Sequence, residues 1–230
     1  MQVKKLNEYI TQYKDFLKRD RLFEQEYKWK ALSNFQEHWE VDAPDFASMY
    51  DRCLQSDVNR RLWKRESWFP KVMMQKFIAL DAEFVRRMFK DLFDENIMVE
   101  VRISRFKFCC DTLLSDYKRK HKNSIENAHY HDDSEAILFY LAMRYPEQYA
   151  LFDYPSFRKT TELLGVKNIP SPFDLERFFK LTKIMNTFLK KDEELMNLCE
   201  KRLDEGRYYQ GGSRLVVGEF CWFCAETFKR

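Results

Sequence analysis

The densest set of potential metal ligands in the chain lies in the run HYHDD at residues 129–133. Imidazole nitrogens and carboxylate oxygens are ligands of zinc and iron, so this run has the composition of a metal site. The residues that offer such groups are His129, His131, Asp132 and Asp133. Metallohydrolases whose site begins with His-x-His complete it with further distant histidines, and only His38 and His121 remain in this chain. A metal-dependent hydrolase is therefore the least favoured hypothesis.

The same run has the properties of a helix start. Short side-chain oxygens at residues 132–134 can accept the free backbone N–H groups of a helix that opens near Glu135. Apolar residues then recur at three- and four-residue spacing until Pro146, which would end the helix. We therefore expect caps and local hydrogen bonds here, with no metal and no other cofactor.

A glycine-containing run, GRYYQGGS at residues 206–213, differs by one residue from a phosphate-binding loop. The missing residue is the lysine that reaches the β- and γ-phosphates, and no β-strand pattern precedes the run. The sequence therefore predicts no nucleotide binding by this chain.

Cys221 and Cys224 form a C-x-x-C motif near the C-terminus. A zinc site needs a second pair with suitable spacing, and none exists, because Cys109 and Cys110 are adjacent. Free cysteine behaves as a small apolar residue, so we expect buried thiols on a helix.

Two segments mix basic and aromatic residues in a way that suits nucleic acid, since cations contact phosphates and rings stack on unpaired bases. The candidate phosphate contacts are Arg60, Arg61, Lys64, Arg65, Lys71, Lys118, Arg119, Lys120 and Lys122. The candidate stacking residues are Trp63, Trp68 and Tyr130. A second interpretation stays open: the tryptophans can be core anchors, and the run KRKHK at residues 118–122 can be a solvated helix end.

Composition and periodicity predict an all-α fold for the elements that position these residues. Only five Gly and six Pro interrupt a chain that is 45% hydrophobic. Helical spacing recurs along most of it, so we expect a multi-helix domain of about eight to ten helices. The pattern near the C-terminus also allows a short β element at Leu215 to Val217.

The best linker signal among the 230 residues is NIPSP at residues 168–172. It predicts a main helical domain at residues 1–167 and a C-terminal helical segment at residues 168–230, which packs on that domain or continues it. Six Cys without a regular framework, no signal peptide and no apolar run of about 18 residues predict a cytoplasmic protein with reduced thiols and no membrane partner.

Five stretches spread over most of the chain carry a family resemblance: EYKWKALSNFQEHWEVDAPDF, SWFPKVMM, RRMFKDLFDE, HYHDDSEAILFYLAMRYPEQY and FRKTTELLG. Together they resemble the N-terminal domain of McrB-like restriction ATPases of the AAA family, the 5-methylcytosine-specific restriction type. The resemblance implies a region that precedes a nucleotide-hydrolysing motor and acts with a nuclease subunit in bacterial defence. It also implies binding to DNA that carries a modified cytosine, with the base flipped into an aromatic pocket.

The motifs favour binding over catalysis, because no nucleophile with a base, carboxylate pair or complete metal set can be assembled from them. We assign no catalytic residue and expect a non-catalytic recognition domain that binds DNA ahead of an AAA motor, which this chain lacks. The alternative is a protein-interaction or assembly domain that contacts a nuclease subunit or an inhibitor and does not touch DNA.

Overall fold

The structure is a computed structural model that describes residues 1–19, 25–54, 70–132, 134–203 and 206–228. Within these ranges the chain forms eleven α-helices and no β-strand, which confirms the predicted all-α class with slightly more helices than expected. The helices are α1 (Val3–Arg19), α2 (Glu26–His38), α3 (Phe46–Cys53), α4 (Pro70–Leu80), α5 (Ala82–Leu92), α6 (Val99–Lys120), α7 (Glu135–Arg144), α8 (Tyr154–Leu163), α9 (Leu175–Lys191), α10 (Glu193–Glu200) and α11 (Leu215–Thr227). Among the described helices, none is both long and apolar enough to span a bilayer.

Contacts divide the chain into two compact units. The first unit contains Met1–Trp29 and Tyr145–Arg230, and the second contains Lys30–Arg144. Residues 168–172, where the linker signal lies, are inside the first unit.

The first unit is built on the pairing of α8 with α11. Thr160 Oγ1 donates a hydrogen bond to the carbonyl oxygen of Cys221 over 3.2 Å, which ties the two helices together in the core. α1 packs on α10 and α11, and the buried Tyr13 ring lies 5.1 Å from the Phe223 ring. Most of α11 is buried, because its apolar residues meet neighbours on several sides.

The β element that the sequence allowed at Leu215 to Val217 does not form. These three residues are buried in the first turn of α11. A short apolar run has no period that separates a buried strand from a buried helix, and here buried residues continue to Cys224 within one helix.

The second unit has an aromatic core around Phe89 of α5. The centroid of the Phe89 ring lies 5.0 Å from Tyr140, 5.1 Å from Trp39 and 5.3 Å from Phe106. α7 is buried at every position from Ala136 to Met143, and α6 packs on α4 and α5. The long helix α6 therefore has one buried side and one free side, which is the side exposed to solvent.

Candidate functional site

The metal-ligand-like residues lie in the second unit, between α6 and the start of α7. His129 and His131 are buried, whereas Asp132 is exposed; Asp133 lies outside the described residues. α6 adds two residues that the sequence did not indicate, the buried Cys110 and the exposed Asp111. Potential ligand atoms come within 4.8 Å of one another in two trios. The trios are Cys110, His129 and His131, and Asp111, His129 and Asp132.

Hydrogen bonds around His129 fix its tautomer. The backbone N–H of His131 donates to His129 Nδ1 over 3.1 Å, so this nitrogen carries a lone pair. In the neutral ring the proton is then on Nε2, which lies 3.2 Å from Oδ1 of Asp111 and 3.2 Å from Oδ1 of Asp132 and donates to these carboxylates. Both nitrogens of His129 are thereby engaged, and neither offers a lone pair to a metal in either trio.

His131 is held as a neutral ring in the core. Its Nδ1 donates to the carbonyl oxygen of His129 over 2.5 Å, and its Nε2 faces the Tyr140 hydroxyl at 3.5 Å. The Tyr140 hydroxyl lies 2.7 Å from the Tyr50 hydroxyl. Burial, reinforced by His129, lowers the pKa of His131 from 6.5 to about 3. The two histidines are therefore tied to each other and to Tyr140 by hydrogen bonds in the core of the second unit.

Cys110 packs beside this cluster as a buried thiol. Burial raises the pKa of its thiol well above the ordinary value, and Cys109 and Asp111 add to the rise. In the metal-free protein Cys110 is therefore protonated and packs as a small apolar residue.

We expect the purified protein to retain only substoichiometric zinc after incubation with the metal and gel filtration. The reason is that hydrogen bonds engage both ring nitrogens of His129 and Nδ1 of His131. Elemental analysis of the wild type and of a His129→Gln/His131→Gln variant checks this. One zinc per chain in the wild type, lost in the variant, would show that the tautomer assignment is wrong.

The candidate phosphate contacts separate into three groups. Lys118, Arg119 and Lys120 form the exposed last turn of α6, and Lys122 follows it, also exposed. Arg119 Nη2 pairs with Asp116 Oδ1 at 2.9 Å on the surface. Arg60, Arg61, Lys64 and Arg65 lie outside the described residues, as do the stacking candidates Trp63 and Trp68.

Lys71 has a structural role instead. Its Nζ lies 2.7 Å from Asp51 Oδ1 and donates to the carbonyl oxygens of Asp51 and Leu54 at the C-terminal end of α3. A cation is favoured there, because the carbonyl groups at the C-terminal end of a helix carry partial negative charge. Because its charge is neutralised locally, Lys71 is a weaker phosphate contact than its place in the sequence indicates.

Tyr130 is the one stacking candidate among the described residues. It lies between the two buried histidines, is half-buried, and adopts a left-handed backbone conformation with φ of 61°. That conformation is uncommon outside glycine and directs the chain between His129 and His131.

For the C-x-x-C motif, the prediction of buried thiols on a helix is confirmed. Cys221 and Cys224 are buried on α11, and burial raises the pKa of Cys221 to about 12. Residues 206–213 form neither a strand nor a helix, and α11 begins only at Leu215. A Cβ atom at Gly212 would lie 2.7 Å from the Glu147 carboxylate. A carboxylate against the loop opposes phosphate binding.

The described residues therefore offer surfaces for binding, and their buried histidines and thiols are held by packing and hydrogen bonds. The candidate phosphate contacts Lys118, Arg119, Lys120 and Lys122 form an exposed group of cations at the end of α6. Comparison with protein family models, with curated proteins and with solved structures finds no match.

Proposed function

We propose that this chain is a non-catalytic binding domain that contacts DNA phosphates through the basic end of α6, defined as Lys118, Arg119, Lys120 and Lys122. All four side chains are exposed. Among the described residues, only Arg119 of this set forms an ion pair with a carboxylate. Closely spaced cations without counter-charges raise the local potential and favour a polyanion. This cluster of uncompensated charge is the observation that carries the proposal.

The rest of α6 supports this role by holding the helix end in place. Ile103, Phe106, Cys110 and Leu113 are buried along the preceding turns, so the basic end extends from a packed helix. Lys76 adds a further constraint, because its Nζ lies 5.8 Å from the centre of the Tyr117 ring. Because the backbone of this helix end is already ordered, only the side chains lose conformational entropy when they bind phosphates.

The resemblance to McrB-like N-terminal domains supports DNA as the polyanion. On that resemblance the domain would act ahead of an AAA motor and beside a nuclease subunit in a bacterial restriction system. Tyr130 is then the described candidate for stacking on a flipped, modified base. Phosphate contacts alone do not read sequence, so any preference for modified cytosine depends on such a ring.

We expect salt-dependent DNA binding by the full chain. With about four phosphate contacts, the slope of log K against log salt on duplex DNA should be near −3.6, because each neutralised phosphate releases condensed counterions. Replacing Lys118 and Lys120 by Glu should flatten the slope by about 2. Fluorescence-anisotropy titrations with plain and cytosine-modified duplexes over a range of salt concentrations provide the measurement.

The matched control is Lys190→Glu/Lys191→Glu. These lysines are also exposed in the last turn of a helix, α9, so the control makes the same change in net charge at the same kind of position. Equal weakening by both double variants would show that total charge, and not the basic end of α6, drives binding. An absence of binding even at low salt would contradict the proposal and favour the assembly-domain alternative.

A further inference from the structure

An apolar stripe lies exposed on the free side of α6 and just before it. Met98, Val101 and Phe108 are 70%, 38% and 71% exposed. Their spacing of three and seven residues places them on one face of the helix. Three large apolar side chains aligned in this way are unusual on a surface that faces only water, and such patches commonly mark interaction sites.

A groove between α5 and α6 adjoins this stripe. It encloses about 240 Å³, and its apolar lining comes from Phe84, Met88, Phe106, Phe108 and Cys109. Small-molecule sites are typically about 300–1,000 Å³, so this space is small for a ligand and suits one or two inserted side chains.

A buried contact joins the two helices near the loop that connects them. Arg102 of α6 is buried, and its Nη1 lies 2.8 Å from Glu95 Oε1 and donates to the carbonyl oxygen of Leu92, where α5 ends. This ties the end of α5 to the first turns of α6. A partner would therefore meet a preformed groove, which reduces the cost of ordering on binding.

The rim of the groove carries positive charge. Arg105 Nη1 pairs with Asp91 Oδ1 at 3.0 Å, which neutralises both. The Arg87 guanidinium lies 5.9 Å from the centre of the Phe84 ring, and no described carboxylate forms an ion pair with it. An occupant that suits this rim combines apolar anchors with a carboxylate placed opposite Arg87.

We propose that this groove and the adjoining stripe bind an amphipathic helix of a partner protein, with apolar anchors at three- and four-residue spacing and a flanking acidic residue. From Met98 to Phe108 the stripe extends about 15 Å along the axis, which matches about three turns of a bound helix. A second copy of this chain is a poor occupant, because a two-fold interface uses the same patch on both subunits, and the one acidic residue among the described residues that line this groove, Asp91, is already paired with Arg105. The inference does not depend on DNA binding.

The test uses a labelled amphipathic peptide of about 18 residues, long enough to form a helix, with Leu on one face and Glu beside it. A second peptide carries Lys in place of every Glu. The full chain should bind the Glu peptide more tightly than the Lys peptide. Phe108→Ala should weaken Glu-peptide binding at least about ten-fold, because it removes a central apolar contact. Arg87→Glu should reverse the preference between the peptides.

Two control variants separate this site from other surfaces. Phe173 is 77% exposed in the first unit, so Phe173→Ala removes an equally exposed ring and should leave peptide affinity unchanged. Lys118→Glu/Lys120→Glu should also have little effect, because about 15 Å of helix separates Phe108 from Lys118 and salt screens charges beyond about 10 Å.

Several results would overturn the inference. They are an absence of binding to either peptide, equal affinity for both peptides, or equal losses in Phe108→Ala and Phe173→Ala. Sedimentation velocity adds a further outcome: a dimer of the wild type that Phe108→Ala dissociates would make a second copy the occupant.

Discussion

The Glu219→Gln variant is expected to unfold with a free energy about 3–5 kcal/mol below that of the wild type, because it removes the carboxylate that neutralises a buried arginine. Glu219 is completely buried on α11 and accepts a hydrogen bond from Trp29 Nε1 over 2.6 Å and another from the Arg202 guanidinium. Arg202 is itself largely buried, so water cannot replace the lost charge partner. Domains are typically stable by only about 5–15 kcal/mol, so the loss should be visible in any denaturation curve.

Urea unfolding followed by circular dichroism measures this change. Glutamine keeps an oxygen that can accept from Trp29, so the variant isolates the effect of the charge. Glu8→Gln is the control, because Glu8 is exposed on α1 of the same unit and should change stability by no more than about 0.5 kcal/mol. The double variant Glu219→Gln/Arg202→Met should recover much of the loss, since it leaves no buried charge and keeps an acceptor for Trp29. A Glu219→Gln variant as stable as Glu8→Gln would show that Arg202 does not need the carboxylate.

Helix ends are the part of the fold that the sequence predicts best. An aspartate just before an apolar run is typical of a helix start. Asp81 Oδ1 accepts a hydrogen bond from Phe84 N over 2.9 Å, and Asp192 Oδ1 accepts one from Leu195 N over 2.9 Å. Gly165 ends α8 in the left-handed region, with φ of 65°. Each of these features depends on residues within one helical turn, so the information is local.

Contacts between segments that are distant in the chain are the part of the fold that sequence patterns did not predict. Asp111 reaches His129 from a helix that begins 30 residues earlier in the chain, at Val99. Lys71 forms an ion pair with Asp51 and donates to a carbonyl oxygen at the end of another helix, so its charge is neutralised locally. A run of basic or ligand-like residues shows which chemical groups are present. The packing of helices decides which of these groups are exposed and which form ion pairs or hydrogen bonds within the protein. Periodicity predicts which face of a helix is buried, but not the helix that covers it.

The second large expected effect is a loss of folding stability at low pH that is caused by His131. In the folded protein the pKa of His131 is lowered from 6.5 to about 3, because burial disfavours the charged ring. Between these values the unfolded chain binds a proton that the folded protein does not, so stability falls as pH falls. The expected contribution is about 1.4 kcal/mol per pH unit below pH 6.5, or about 4–5 kcal/mol near pH 3. Urea unfolding at a series of pH values measures the slope.

His131→Gln should remove this contribution and give a flatter dependence of unfolding free energy on pH. Tyr140→Phe is the matched control, because it removes the hydroxyl that lies 3.5 Å from His131 Nε2 and leaves the imidazole buried. The control should therefore lose some stability at neutral pH and keep the wild-type slope, since desolvation of the ring is the main cause of the lowered pKa. If the wild type and His131→Gln lose stability in parallel between about pH 6 and 4, the acid sensitivity belongs to other groups and His131 is not buried as a neutral ring.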